Sequence, residues 1–105
     1  MIKMSYNFNT QITFENGLTI SIAIGEGNYC SNRKIENSDI NPYNTYVKQR
    51  ESKNCEAIVF DVNHNDLDIQ QFLPEGINGD GSKIAGWIKA DDLAEIIYKV
   101  KNWKE

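Results

Sequence analysis

At 105 residues and 12.0 kDa the chain holds one domain, residues 1–105, with a core of modest size. Its 40% hydrophobic and 25% charged residues are those of an ordinary soluble globular protein, and no apolar run reaches the roughly 18 residues that a bilayer span needs. Lys and Arg number 11 against 15 Asp and Glu, a net charge of −4 that argues against a duplex nucleic-acid partner. A small anionic ligand stays allowed, because one or two arginines in a pocket suffice for a phosphate. The opening MIKMSYNFNTQ lacks the apolar core of a secretory signal, so the protein is expected to stay in the cell that makes it.

In YNFNTQITF, Tyr6, Phe8, Ile12 and Phe14 fall on alternate positions, the period of a half-buried strand. LTISIAI repeats the pattern with Leu18, Ile20, Ile22 and Ile24. A two-residue Asn-Gly loop between them would set Phe14 opposite Thr19 and throw the two apolar rows onto opposite faces. A three-residue loop, Glu15-Asn16-Gly17, pairs Phe14 with Leu18 and Ile12 with Ile20, and puts Gly17 at the left-handed position of the turn. The three-residue hairpin is therefore expected.

From about residue 32 to 54 the chain is polar and aperiodic, a long connection with a short strand allowed around Tyr43 to Val47. CEAIVFDV, Cys55 to Val62, is β-branched and aromatic and reads as a buried central strand. NHND turns the chain into LDIQQFL, expected as a partner strand. After the glycine-rich PEGINGDGS comes a further short strand, KIAGWI. In KADDLAEIIYKVKNWK, Leu93, Ile96, Ile97, Val100 and Trp103 form one helical stripe. Asp91 and Asp92 stand in its first turn and Lys99, Lys101 and Lys104 in its last, matched to the helix dipole. The expected fold is α+β: an antiparallel sheet of about four or five strands with one C-terminal amphipathic helix packed across a face.

Two cysteines, Cys30 and Cys55, make no disulfide framework, and with His64 they lack the spacing of a zinc site. Cys55 reads as a core residue and Cys30 as a small loop residue, both free thiols. GEG is no dinucleotide fingerprint, since Cys30 stands where the third glycine should be and no helix pattern follows. GINGDGSK has its lysine one place too late for a phosphate loop and reads as a glycine-rich turn. DVNHND sets Asp61, Asn63 and Asn65 at the first, third and fifth places of a calcium loop. Asp66 then replaces the glycine and Phe72 the bidentate Glu, so an Asx-rich turn is the better account. His64 sits in that turn without a cleft around it, and no catalytic constellation appears. No enzyme activity, metal or cofactor is expected.

GEGNYCSNR, Gly25 to Arg33, remains. Gly25 and Gly27 allow a bulge or sharp turn, and Asn28 tolerates a left-handed backbone. That structural account leaves Arg33 beside Asn32 and Tyr29 unexplained. A planar cation, an amide and an aromatic face suit a phosphate, a ribose and a base.

ITFENGLTISIAIGEGNYCSNR, with AGWIKADDLAEII near the C-terminus, resembles a family of small phage and prophage proteins. The shared features are a glycine pair followed by Asn28, Tyr29, Cys30, Asn32 and Arg33, and a second block of Gly86, Trp87, Asp91, Asp92 and Leu93. Residues 34–54 are unmatched. The nearest function is that of the anti-Thoeris sponge proteins of the first type, which bind and sequester cyclic ADP-ribose isomers and, in some members, cyclic oligonucleotides. The resemblance implies a phage anti-defence protein in the host cytoplasm. It implies a homo-oligomer. The ligand-binding residues expected here are Asn28, Tyr29, Asn32, Arg33 and Trp87, in a pocket expected between protomers because a domain this small rarely encloses one alone. The competing reading is a phage inhibitor that acts by protein–protein contact, as anti-CRISPR proteins do.

Overall fold

A computed structural model of the chain describes residues 1–5, 9–25, 30, 51–77 and 83–104. These residues form a five-stranded antiparallel sheet in which every strand pairs with its neighbour in sequence, β1-β2-β3-β4-β5. The strands are β1 (Ile2–Ser5), β2 (Asn9–Thr13), β3 (Thr19–Ala23), β4 (Asn54–Phe60) and β5 (Ile84–Lys89). A 3-10 turn, η1 (Ile69–Phe72), precedes β5, and one helix, α1 (Ala90–Lys101), follows it. The α+β architecture expected from the sequence is the one observed.

The β2–β3 hairpin has the three-residue loop. Ile12 pairs with Ile20, the Phe14 N–H donates to the Leu18 carbonyl at 2.9 Å, and the Gly17 N–H donates to the Phe14 carbonyl at 3.0 Å. Gly17 has φ +87°, the left-handed position the turn demands. The register then places Ile12, Ile20 and Ile22 on one face, continued by Val59 and Ala57 of β4 and Ala85 of β5. This face packs on α1 and η1. Its core joins Leu18, Ile20, Cys55, Ala57, Val59, Ile69, Phe72, Ile88, Ile96 and Val100.

Leu93, Ile97 and Trp103 pack against that core from the stripe read in the sequence. α1 ends at Lys101, so Lys104 lies beyond its last turn, while Lys99 reaches across to donate to the Leu73 carbonyl at 2.8 Å. Trp103 meets Phe72 edge to face, ring centres 5.1 Å apart.

The expected strand at LDIQQFL is not one. After a single bridge between Phe60 and Asp66, the Asp68 carboxylate accepts the Gln70 N–H at 3.0 Å and winds Ile69–Phe72 into η1. The buried residues are Ile69, Phe72 and Leu73, spaced by three and four. Gln70 and Gln71 between them break any period of two. The fifth strand is instead β1, which the sequence reading did not single out. β4 is an interior strand rather than the middle one, and its alternating burial leaves Glu56, Ile58 and Phe60 half-exposed. Tyr6, Phe8 and the short strand allowed at 43–47 lie outside the described residues.

The hairpin loop is also tied to the end of the helix. Asn16 Nδ2 donates to the carbonyls of Val100 at 2.8 Å, Trp103 at 3.2 Å and Lys101 at 3.3 Å, while Asn16 Oδ1 accepts the Leu18 N–H at 3.1 Å. Asn16→Ala is expected to cost about 1–2 kcal/mol, because the last helical carbonyls lose their donor. Asn16→Asp is expected to cost more than Ala, since it sets a carboxylate against carbonyls at the negative end of the helix dipole. Urea unfolding of both variants checks the order, and equal stability of Asp and Asn would contradict it. Gly17→Val should cost about 2 kcal/mol in the same assay. An added Cβ would lie 2.6 Å from Val62 Cγ1. Val62 is exposed and can rotate aside, so the positive φ supplies most of the cost.

Candidate functional site

Of the candidate stretch, Gly25 and Cys30 are described, and both lie at one end of the sheet. β3 finishes at Ala23, whose partner is Glu56 near the start of β4; Cys55 pairs in turn with Ile88 near the finish of β5. Ile24 and Gly25 lead off that end of β3, and Gly25 is buried with φ +101°. A side chain there would be strained, which accounts for the first glycine of GEGNYCSNR. Cys30 returns to the same place: it is fully buried, and its thiol donates to the Gly25 carbonyl at 3.7 Å. Asn28, Tyr29, Asn32 and Arg33 lie outside the described residues. Trp87 is described, and it stands at this end.

Trp87 is held there by an irregularity in the ladder. Cys55 pairs with Ile88 and Ala57 with Ala85, so β5 carries one residue more than β4 across this interval. Gly86 and Trp87 together oppose Glu56, a β-bulge. Trp87 takes φ +58° and is 55% exposed. A left-handed backbone at a bulky residue costs on the order of 1–3 kcal/mol, and surface exposure returns little of that through burial. Strain of this kind concentrates at ligand clamps and switch regions. Ala23, Glu56 and Trp87 thus form one row across three strands, beside the two described ends of the Gly25–Cys30 stretch.

Both cysteines are buried free thiols. Cys55 is the core residue expected, and Cys30 lies in a bend outside the strands, as expected of a loop residue, yet is fully buried. Burial pushes the Cys55 thiol up to about 11, and the neighbouring Cys30 and Glu56 push the same way. Such a thiol is a poor nucleophile at neutral pH.

The turn at DVNHND is built as an Asx turn. Asp61 Oδ1 accepts the backbone N–H groups of Asn63 at 2.9 Å and Asn65 at 3.0 Å, and the Asp61 carbonyl accepts the His64 N–H at 3.0 Å. These backbone donors, Asn65 foremost, hold the Asp61 carboxyl below the usual carboxylate range. His64 takes φ +61° and lies exposed against the Phe60 ring, centres 5.5 Å apart. Of the glycine-rich segment, Pro74 to Ile77 is a turn closed by the Ile77 N–H on the Pro74 carbonyl at 3.1 Å, with Gly76 at φ +88°. Residues 78–82 lie outside the described residues.

Among the described residues no three His, Cys, Asp or Glu side chains gather as a metal site requires. No described helix is long and apolar enough to cross a membrane. No protein-family model, curated protein or solved structure matches the chain.

The raised Cys55 value has a consequence for stability. In the unfolded chain the thiol ionises from its ordinary value of 9.0, while in the fold it holds its proton to about 11. Its contribution is therefore complete below pH 9 and is lost as pH rises from 9 to 11, by about 2–3 kcal/mol in all. Urea unfolding of the wild type and of Cys55→Ala over that interval isolates the effect: the difference between them should be flat below pH 9 and shrink above it. A constant difference would show that Cys55 titrates alike in both states.

Proposed function

We propose that the protein is a non-catalytic binder that sequesters a cyclic nucleotide immune signal, such as a cyclic ADP-ribose isomer. It acts for a phage in the cytoplasm of the host. The observation that carries this reading is Trp87: a bulky aromatic kept half out in water by a strained bulge, at the sheet end where the GEGNYCSNR stretch leaves β3. An exposed indole is a stacking platform for a base, worth about 1–3 kcal/mol per base in nucleic-acid sites. Arg33 in that stretch supplies the fork for phosphate oxygens, and Tyr29, Asn28 and Asn32 supply further stacking and amide groups. Sequestration breaks no bond. It lowers the free concentration of the signal by mass action. A domain of this size encloses little volume by itself, so the pocket is completed between protomers of a homo-oligomer.

Trp87→Gly separates binding from folding. Glycine relieves the left-handed strain, so the melting temperature should hold or rise. Calorimetric titration with a cyclic ADP-ribose isomer should meanwhile show affinity falling by roughly 5- to 150-fold, the equivalent of the lost stacking. Arg33→Ala should weaken the same titration by roughly 1.5–3 kcal/mol, as for a charged hydrogen bond. A Trp87→Gly protein that melts lower and binds as before would make Trp87 a structural residue and remove the support for this reading.

A further inference from the structure

Among the described residues, the side of the sheet away from α1 ends in an open edge, β1. All four residues of β1 are exposed, Ile2 at 70% and Met4 at 79%. Their backbone direction follows from the ladder. Met1 and Thr13 exchange both hydrogen bonds, Thr13 N–H to Met1 carbonyl and Met1 N to Thr13 carbonyl, each 2.8 Å. Bonded pairs alternate along an antiparallel ladder, so in the register Ile2↔Ile12, Lys3↔Gln11, Met4↔Thr10 it is Lys3 that bonds to β2. Ile2 and Met4 turn their N–H and C=O groups outward, away from the sheet. Their side chains lie on the face of Ile12, Ile20 and Ile22.

Natural sheets usually blunt such an edge. The opposite edge, β5, has the bulge at Gly86 and Trp87. β1 has no bulge and no proline, only Lys3, which is the one charged residue in β1 and β2 together. A strand added antiparallel through Ile2 and Met4 would set one of its own residues directly against Lys3 in a non-hydrogen-bonded pair, at the closest cross-strand distance of about 4.5 Å. A second copy in the register that uses both Ile2 and Met4 would put lysine against lysine there. Like charges directly opposite are unfavourable. An acidic residue between two apolar ones fits instead: the carboxylate meets Lys3, and the apolar neighbours extend the row of Ile2 and Met4.

We propose that the β1 edge is a docking site for an extended apolar–acidic–apolar segment of another protein, added antiparallel as a further strand with its carboxylate opposite Lys3. The site lies on the opposite lateral edge of the sheet from Trp87, with β2, β3 and β4 between them, and does not rest on nucleotide binding. The contacts would be main-chain hydrogen bonds for affinity and one charge pair for selectivity, the logic of β-strand addition.

The test uses blocked Thr-Val-Glu-Val-Thr and Thr-Val-Lys-Val-Thr peptides with the whole protein at low salt, followed by amide shifts of Ile2 to Ser5 and by a titration of each peptide. The Glu peptide should bind about three- to tenfold more tightly than the Lys peptide. Lys3→Glu should invert that order, and N-methylation of the two valines should abolish binding. Met4→Pro removes only the outward N–H and spares the bonds to β2, so it should leave the melting temperature near that of the wild type while preventing docking. Equal binding of the two peptides, no binding of either, or binding that survives Met4→Pro overturns the proposal. So does a dimer in sedimentation that Met4→Pro converts to monomer, because the edge would then belong to a second copy.

Discussion

The side-chain amide of Asn16 joins the two halves of this fold. Its oxygen fixes the turn of the β2–β3 hairpin and its nitrogen gathers the last carbonyls of α1, groups more than 80 positions apart in sequence. Only one orientation of the amide satisfies both sides, so the loop and the helix end specify each other. The link acts together with the other contacts of the helix: Trp103 on Phe72, Lys99 on the Leu73 carbonyl, and Ile96 and Val100 in one core with Ile20 and Val59. A meander sheet is otherwise assembled from neighbours in sequence. The polar contact at Asn16 turns a set of local hairpins into a closed core.

The two lateral edges of the sheet are managed differently. β5 runs from its bulge into α1 without an intervening loop, Lys89 ending the strand and Ala90 beginning the helix. Lys89 makes no side-chain cap, and the free N–H groups of the first turn are met instead by the charge of Asp91 and Asp92. That edge is bent and anchored. β1 is exposed and, among the described residues, pairs with β2 alone, while α1 packs on β3, β4 and β5. The protein thus offers two separate surfaces, one shaped by strain around Trp87 and one left open along Ile2 to Ser5.

How much of this was legible varied with the physical signal. The hairpin could be read to the residue, because two apolar rows of period two and a glycine leave only one loop length that keeps both rows on a face. The helix stripe was equally plain. η1 was misread because Leu67 and Ile69 imitate the start of an alternation, and the cap formed by Asp68 is a local hydrogen bond that composition does not reveal. β1 was passed over because its alternation, Ile2 and Met4 against Lys3 and Ser5, is only four residues long and both of its faces are exposed. At the candidate site, the glycines and the Asn-Tyr-Cys-x-Asn-Arg run drew attention to one stretch. Neither the burial of Cys30 nor the left-handed backbone of Trp87 could be read from the sequence, since both arise from long-range pairing and packing.

The chain has two tryptophans, and the fold sends them to opposite kinds of environment. Trp103 is half-buried, edge-on to Phe72 where the end of α1 meets η1. Trp87 stands in water on the bulge. Fluorescence from this protein is therefore the sum of two reporters that need no label. The indole in the core edge emits to the blue and follows the closing of the helix on the sheet, while the solvated one emits to the red, is open to collisional quenchers, and answers to whatever comes to rest against it.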